Sequence, residues 1–200
     1  MLRIAKGEWR ESRWLNGQGR SFEIVSEPAV AGPGEPFVWR LAVAEIDRDC
    51  AFSVYGAVDR IFTLIEGGGL QLDFASGAQI TVARPFEPVA FAGDDAATCR
   101  LAAGPCRALN LMVARDRIRP SVEVIATGEP LLIGAQPWTM LVHGLEGQVE
   151  IGGQAMATGD TLVLALDTAA ALVPDGPSRV LVLGLIASEG RELAGRLAKA

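Results

Sequence analysis

The sequence predicts an all-β protein made of two successive β units. Three observations carry that expectation: short apolar runs with a two-residue period, Gly, Pro, Asn and Asp between the runs, and a likeness between the first half of the chain and the second. Half of the 200 residues are hydrophobic, which supplies core for one ordinary domain or two small ones.

The period is clearest where Leu70, Leu72 and Phe74 alternate with Gln71 and Asp73, giving a strand with one dry and one wet face. Gly67, Gly68 and Gly69 stand just before it and are expected to form a tight hairpin turn, because glycine takes positive φ without a steric cost. Helical patterning is confined to the tail from Ser188 to Ala200. There Ser188 suits an N-cap, Leu193 and Leu197 share a face, and Arg196 and Lys199 suit the C-terminal dipole. A short C-terminal helix is therefore expected.

The internal likeness runs in order. Leu64-Ile65-Glu66-Gly67 returns as Leu141-Val142-His143-Gly144, Phe91-Ala92-Gly93-Asp94 as Leu164-Ala165-Leu166-Asp167, and Gly104-Pro105 as Gly176-Pro177. The apolar pattern breaks at Arg115-Asp116-Arg117 and Arg119-Pro120, so the units are placed at 1–115 and 116–200.

A net charge of -6 with scattered Lys and Arg does not suit a nucleic-acid partner, which needs a dense cationic face. A small anionic ligand remains compatible, since one or two arginines set the potential inside a pocket. Cys50, Cys99 and Cys106 form no C-x-x-C pair, so neither a disulfide framework nor a zinc knuckle is expected. The N-terminal residues hold no apolar stretch of signal-peptide length, and no later run reaches the roughly 20 apolar residues of a membrane helix. A cytoplasmic protein with free thiols and no membrane partner is expected.

Catalytic metal sites in β-barrels need two or three imidazoles with a carboxylate, and His143 is the one histidine. No metal or cofactor is expected. No Gly-x-Ser-x-Gly elbow, phosphate loop or Cys/His nucleophile pair is present. Asn16-Gly17-Gln18-Gly19 reads as a turn rather than a nucleotide loop. The informative residue is Arg40 in Phe37-Val38-Trp39-Arg40-Leu41-Ala42-Val43-Ala44, where it shares a strand face with Ala42 and Ala44. Small neighbours beside a guanidinium leave room for another group. A buried arginine must meet a carboxylate, supplied either by a ligand or by Glu23, Glu45 or Asp59. Arg60 in Val58-Asp59-Arg60-Ile61-Phe62 and Asn110 in Leu109-Asn110-Leu111-Met112 pose the same choice between scaffold and site. Trp14, Trp39 and Trp138 read as core or pocket wall.

These segments resemble the HutD/Ves family. The resemblance runs through Trp14 to Ile24, Phe37 to Ile46, Phe52-Ser53-Val54-Tyr55-Gly56-Ala57-Val58-Asp59-Arg60, Leu64 to Leu70, Phe91 to Asp94 and Leu109 to Met112. It implies a bicupin, two tandem cupin (jelly-roll) barrels, and a role linked to histidine utilisation or its regulation. Three positions depart from the family's habit: Ser21 for Thr, Ala42 for Ser, and Ala108 for a frequent acidic residue. The resemblance and the arginines together suggest a small-molecule-binding protein. Arg40 and Arg60 would grip the carboxylate of urocanate or formiminoglutamate, with Asn16, Gly17, Ser53 and Asn110 completing the site. Two alternatives stand beside it: a metal-free isomerase or hydrolase using Glu66, Glu23 or His143 as acid or base, and an interaction module whose arginines only close internal pairs. A homodimer formed through exposed strand edges is also compatible.

Overall fold

The computed structural model describes residues 1–29 and 34–188, and these described residues are all-β apart from one short 3-10 turn at Lys6–Glu8. Nineteen strands are present among the described residues. They begin with β1 (Leu2–Ile4), β2 (Arg10–Arg13), β3 (Arg20–Glu27), β4 (Trp39–Ile46), β5 (Cys50–Ala51) and β6 (Val58–Glu66). Next come β7 (Leu70–Phe74), β8 (Gln79–Val82), β9 (Pro88–Ala92), β10 (Ala97–Leu101), β11 (Cys106–Ala114), β12 (Ile118–Thr127) and β13 (Leu131–Ile133). The last are β14 (Thr139–Glu146), β15 (Gln148–Ile151), β16 (Gln154–Ala157), β17 (Thr161–Leu164), β18 (Ala170–Pro174) and β19 (Ser178–Ala187). The helix expected over Ser188 to Ala200 lies outside the described residues except for Ser188.

The strands form four sheets, and their order repeats with a shift of eight. The sequence β4-β11-β6-β9 in the six-stranded sheet becomes β12-β19-β14-β17 in the five-stranded one, and β5-β10-β7-β8 becomes β13-β18-β15-β16. The six-stranded sheet adds β3 and β2 beyond β4, whereas the five-stranded sheet adds β1 beyond β17. Chain division at 115/116 falls in the turn between β11 and β12. Residues 2–4 nevertheless pair with Thr161 to Val163, so the first strand belongs spatially to the later half.

Gly67 and Gly69 have φ values of 104° and 94°, the positive values foreseen, but they make no hairpin, because β6 and β7 lie in different sheets. The glycines turn a corner where backbone runs against backbone: a Cβ on Gly67 would stand 2.9 Å from the Cα of Cys106. Only a residue without a side chain passes there.

Three apolar clusters separate the sheets. One, with Phe62, Leu64, Leu70 and Leu72, fills the space between the six-stranded sheet and its four-stranded neighbour. Another, with Val142, Ile151, Leu162 and Leu172, does so in the later half. The third joins Leu41, Val43, Leu109 and Leu111 to Leu141, Leu181 and Leu183, packing the two large sheets face to face. The six-stranded sheet is thus buried on both sides. The alternation on β4 turns Trp39, Leu41 and Val43 to the shared core and leaves Arg40, Ala42 and Ala44 on the other face.

Candidate functional site

On that other face, four strands bring Arg40 opposite Met112, Met112 opposite Arg60 and Arg60 opposite Phe91. Two strand spacings put the Arg40 and Arg60 backbones about 10 Å apart. A cleft with about 410 Å³ of empty volume, its open mouth included, sits over this row. Arg40, Ser53, Arg60 and Asn110 all line it, with Trp14, Phe52, Tyr55 and Met112 among its walls.

Arg60 is buried at 6 % exposure and stands between Phe52 and Phe91, with its guanidinium carbon 5.2 and 5.1 Å from the ring centres. The electron-rich ring faces attract it. Its Nε donates to Asn110 Oδ1 at 3.3 Å. No carboxylate of the described residues lies within ion-pair distance. Burial pushes its pKa down to about 10, with Tyr55 opposing the shift, so the group is still a cation at neutral pH. A guanidinium offers five N–H donors, and one is used by the described residues. The NH₂ of Asn110 makes no hydrogen bond to a described residue.

Arg40 differs, because its Nε lies 3.0 Å from Glu23 Oε2 and both side chains are buried. The Nε–H is not directed along that line, so the contact is coulombic rather than a well-formed hydrogen bond. Arg40 Nη2 donates to Ser12 Oγ at 3.0 Å. Glu23 also accepts from Arg10 Nη2 at 2.9 Å and Ser26 Oγ at 3.3 Å. Of the three carboxylates that the sequence offered, Glu23 is therefore the partner. Glu45 is taken by Arg20 and Arg107, and Asp59 by Arg115.

Asn16 and Gly17 are not in the lining. The Asn16 Nδ2 donates to Ala51 O at 2.8 Å, its Oδ1 accepts from Gln18 N at 3.1 Å, and its backbone N donates to Ser53 Oγ at 3.2 Å. The amide is spent on backbone, with Gly17 at φ 70° closing the turn. This loop holds the wall: Trp14 Nε1 donates to Arg20 O, and its ring meets Phe52 edge-on at 5.4 Å between centres. A Cβ on Gly19 would stand 2.8 Å from that ring. Ala108 is wholly buried in the apolar cluster below and is not in the lining either. Neither Phe52 nor Phe91 stands out in the sequence as a partner of Arg60; the one signal is that Phe52 adjoins Ser53.

Glu66 and His143 line a different, narrower cleft at the junction of the two halves, together with Trp9 and Lys6. His143 Nδ1 lies 2.8 Å from Thr161 Oγ1, and burial pushes its pKa down to about 4. It is a neutral imidazole at neutral pH. Among the described residues, no three or more of His, Cys, Asp and Glu are grouped to hold a metal ion, and no helix is long and apolar enough to cross a membrane.

Compared with known proteins, residues 6–182 match the model of the HutD family. The chain belongs to the HutD family. Within that frame, this HutD-family chain is 31 % identical over 139 residues to an uncharacterised 21.2 kDa protein in the hutC 3' region of Pseudomonas putida, covering 69 % of this chain and 70 % of that one. Its fold is similar to a conserved protein of unknown function from Pseudomonas aeruginosa PAO1, with a TM-score of 0.82, 26 % identity and coverage of 92 % and 97 %. HutD from Pseudomonas fluorescens SBW25 follows at 0.75, 24 % identity, and 92 % and 98 %. A cupin 2 conserved barrel domain protein from Leptotrichia buccalis, at 0.58, 12 % identity, and 92 % and 96 %, places the fold among cupin-like proteins.

Proposed function

We propose that this HutD-family protein binds a small carboxylate metabolite, without a metal, in the cleft over Arg60, and that this serves histidine utilisation or its regulation. The observation that carries the reading is Arg60, a buried cation with no carboxylate partner among the described residues and most of its donors unspent. A buried charge of that kind is costly unless an anion completes it. A planar carboxylate accepts two parallel bonds from a guanidinium. The NH₂ of Asn110 and the hydroxyl of Ser53, which already accepts from Asn16, remain as donors for the rest of the ligand. Arg40 is neutralised by Glu23 and shapes the cleft rather than gripping the ligand.

The link to histidine utilisation rests on family membership and on the relative from the hutC 3' region. Urocanate and formiminoglutamate are the ligands proposed. The strand order repeated with a shift of eight supports a reading as two cupin barrels in tandem, with the carboxylate site in the first. Three buried free cysteines support a reducing, cytoplasmic setting.

Isothermal titration calorimetry with urocanate and formiminoglutamate is the test. At least one is expected to bind, and Arg60→Met to weaken it by a factor of ten or more. Silence from both ligands, or an unchanged affinity in Arg60→Met, would sink the proposal.

A further inference from the structure

The two large sheets carry the same irregularity at the same place. A bulge falls between Arg107 and Ala108 where β11 meets β6, and another between Gly144 and Glu146 where β19 meets β14. Each is flanked by an Arg–Glu pair, Arg107–Glu66 at 3.6 Å and Arg179–Glu146 at 3.1 Å. With these pairs superposed, strand register fixes the other equivalences. Arg60 corresponds to Met140, Met112 to Gly184, Asn110 to Val182, Arg40 to Ser121, Ala42 to Glu123 and Ala44 to Ile125. All six residues of the later half line one groove of about 1100 Å³ of empty volume, mouth included. The carboxylate cleft thus has a counterpart, rebuilt with other chemistry.

Both arginine positions are uncharged in the counterpart, and a carboxylate, Glu123, stands where the first cleft has Ala42. Among the described residues no cation lines the groove, and Glu123 pairs with none of them. Trp138 and Ser121 lie over the floor, since a Cβ on Gly184 would strike Ser121 Oγ and stand 2.9 Å from Trp138 Nε1. Neither polar group bonds to another described residue. Ile125, Met140 and Val182 make most of the remaining wall apolar, with Gln136 as its polar member.

We infer that the later half holds a second ligand site, selective for a small organic ammonium ion with an aromatic or branched apolar body. The positive head meets Glu123 and the indole of Trp138, which attracts cations, and the apolar body takes the place of water against the wall. Anions are repelled by Glu123, the reverse of the first cleft. The inference goes beyond the carboxylate reading and stands if that reading fails.

Benzyltrimethylammonium is the probe, measured calorimetrically on the full chain beside benzyl alcohol and benzoate. The cation should bind at least tenfold tighter than the alcohol, and benzoate should not compete with it. Glu123→Gln and, separately, Met140→Arg should raise its dissociation constant tenfold or more, with circular dichroism confirming the fold. Arg60→Met should leave it unchanged. Cation binding no tighter than that of the alcohol, or indifferent to Glu123→Gln, overturns the inference. So does a dimer in sedimentation equilibrium that Leu132→Asp dissociates, since a second copy would then occupy the groove.

Discussion

Replacing Glu23 by Gln removes the charge beside Arg40, while the amide keeps the shape and the oxygen that Arg10 and Ser26 bond. The Arg40 Nε contact has no aligned hydrogen bond to lose, so the variant removes the coulombic attraction and sets an amide NH₂ in place of Oε2 beside Arg40. At 3.0 Å two unit charges attract by about 5.5 kcal/mol in a medium of effective dielectric about 20. The Arg10 arm adds little, since its side chain is 64 % exposed and such pairs contribute at most about 1 kcal/mol. Leaving a buried charge without its partner costs about 3–5 kcal/mol in comparable cases, and the two routes to the magnitude agree. Urea unfolding of Glu23→Gln is therefore expected to show a loss of about 3–5 kcal/mol with unchanged m. The double variant Glu23→Gln/Arg40→Met should recover at least half of it, because no stranded charge remains. A loss below about 1 kcal/mol, or a double variant no better than the single, would refute the claim that Glu23 neutralises Arg40.

Other consequences are equally measurable. Because the pKa of His143 is about 4 when folded against 6.5 for the free side chain, the unfolded chain binds more protons between those values. Stability should then be full above pH 6.5 and fall by about 3 kcal/mol as pH drops from 6.5 to 4. Urea midpoints across that range should show the fall, and His143→Gln should flatten that part of the profile. Asn110→Leu takes away the one hydrogen bond of Arg60 and should cost about 1.5–3 kcal/mol; the same change in an Arg60→Met background should cost clearly less. Gly19→Ala forces a methyl against the Trp14 ring, 2.8 Å away, and should cost about 1–3 kcal/mol and weaken carboxylate binding in the calorimeter. Burial pushes the Cys99 thiol up to about 12; it should resist iodoacetamide at pH 8 in the native protein and react in urea, as peptide mapping would show.

Much of the architecture was legible because strand patterning is local. The alternation around Leu70–Phe74 and Phe37–Ala44 marks faces within a few residues, and the likeness of Phe91–Asp94 to Leu164–Asp167 and of Gly104-Pro105 to Gly176-Pro177 marks equivalent positions, whereas Leu64–Gly67 matches Gly144–Gly147 in register, three residues beyond the expected Leu141–Gly144. Order and spacing of the motifs in the first 115 residues were enough for the family. The choice of Arg40, Ser53, Arg60 and Asn110 put four residues on one cleft, since a polar group stranded in an apolar run has few places to go. Asn16 and Gly17 were as conspicuous in sequence but serve the loop, because an Asn-Gly turn looks the same whether it touches a ligand or only holds a wall.

The sequence by itself determined an all-β chain, two similar halves in order, membership of the family, and arginines placed on strand faces. Only the tertiary structure decided which arginine is electrically satisfied. That outcome hangs on a bulge in β3 between Glu23 and Val25, where one extra residue brings both Ser26 and Glu23 to the face of Arg40. Arg60, paired across fifty positions with Asn110, receives no carboxylate from any neighbouring strand. Neutralising a charge takes a contact of about 3 Å, and that depends on register between distant strands, which local periodicity does not encode.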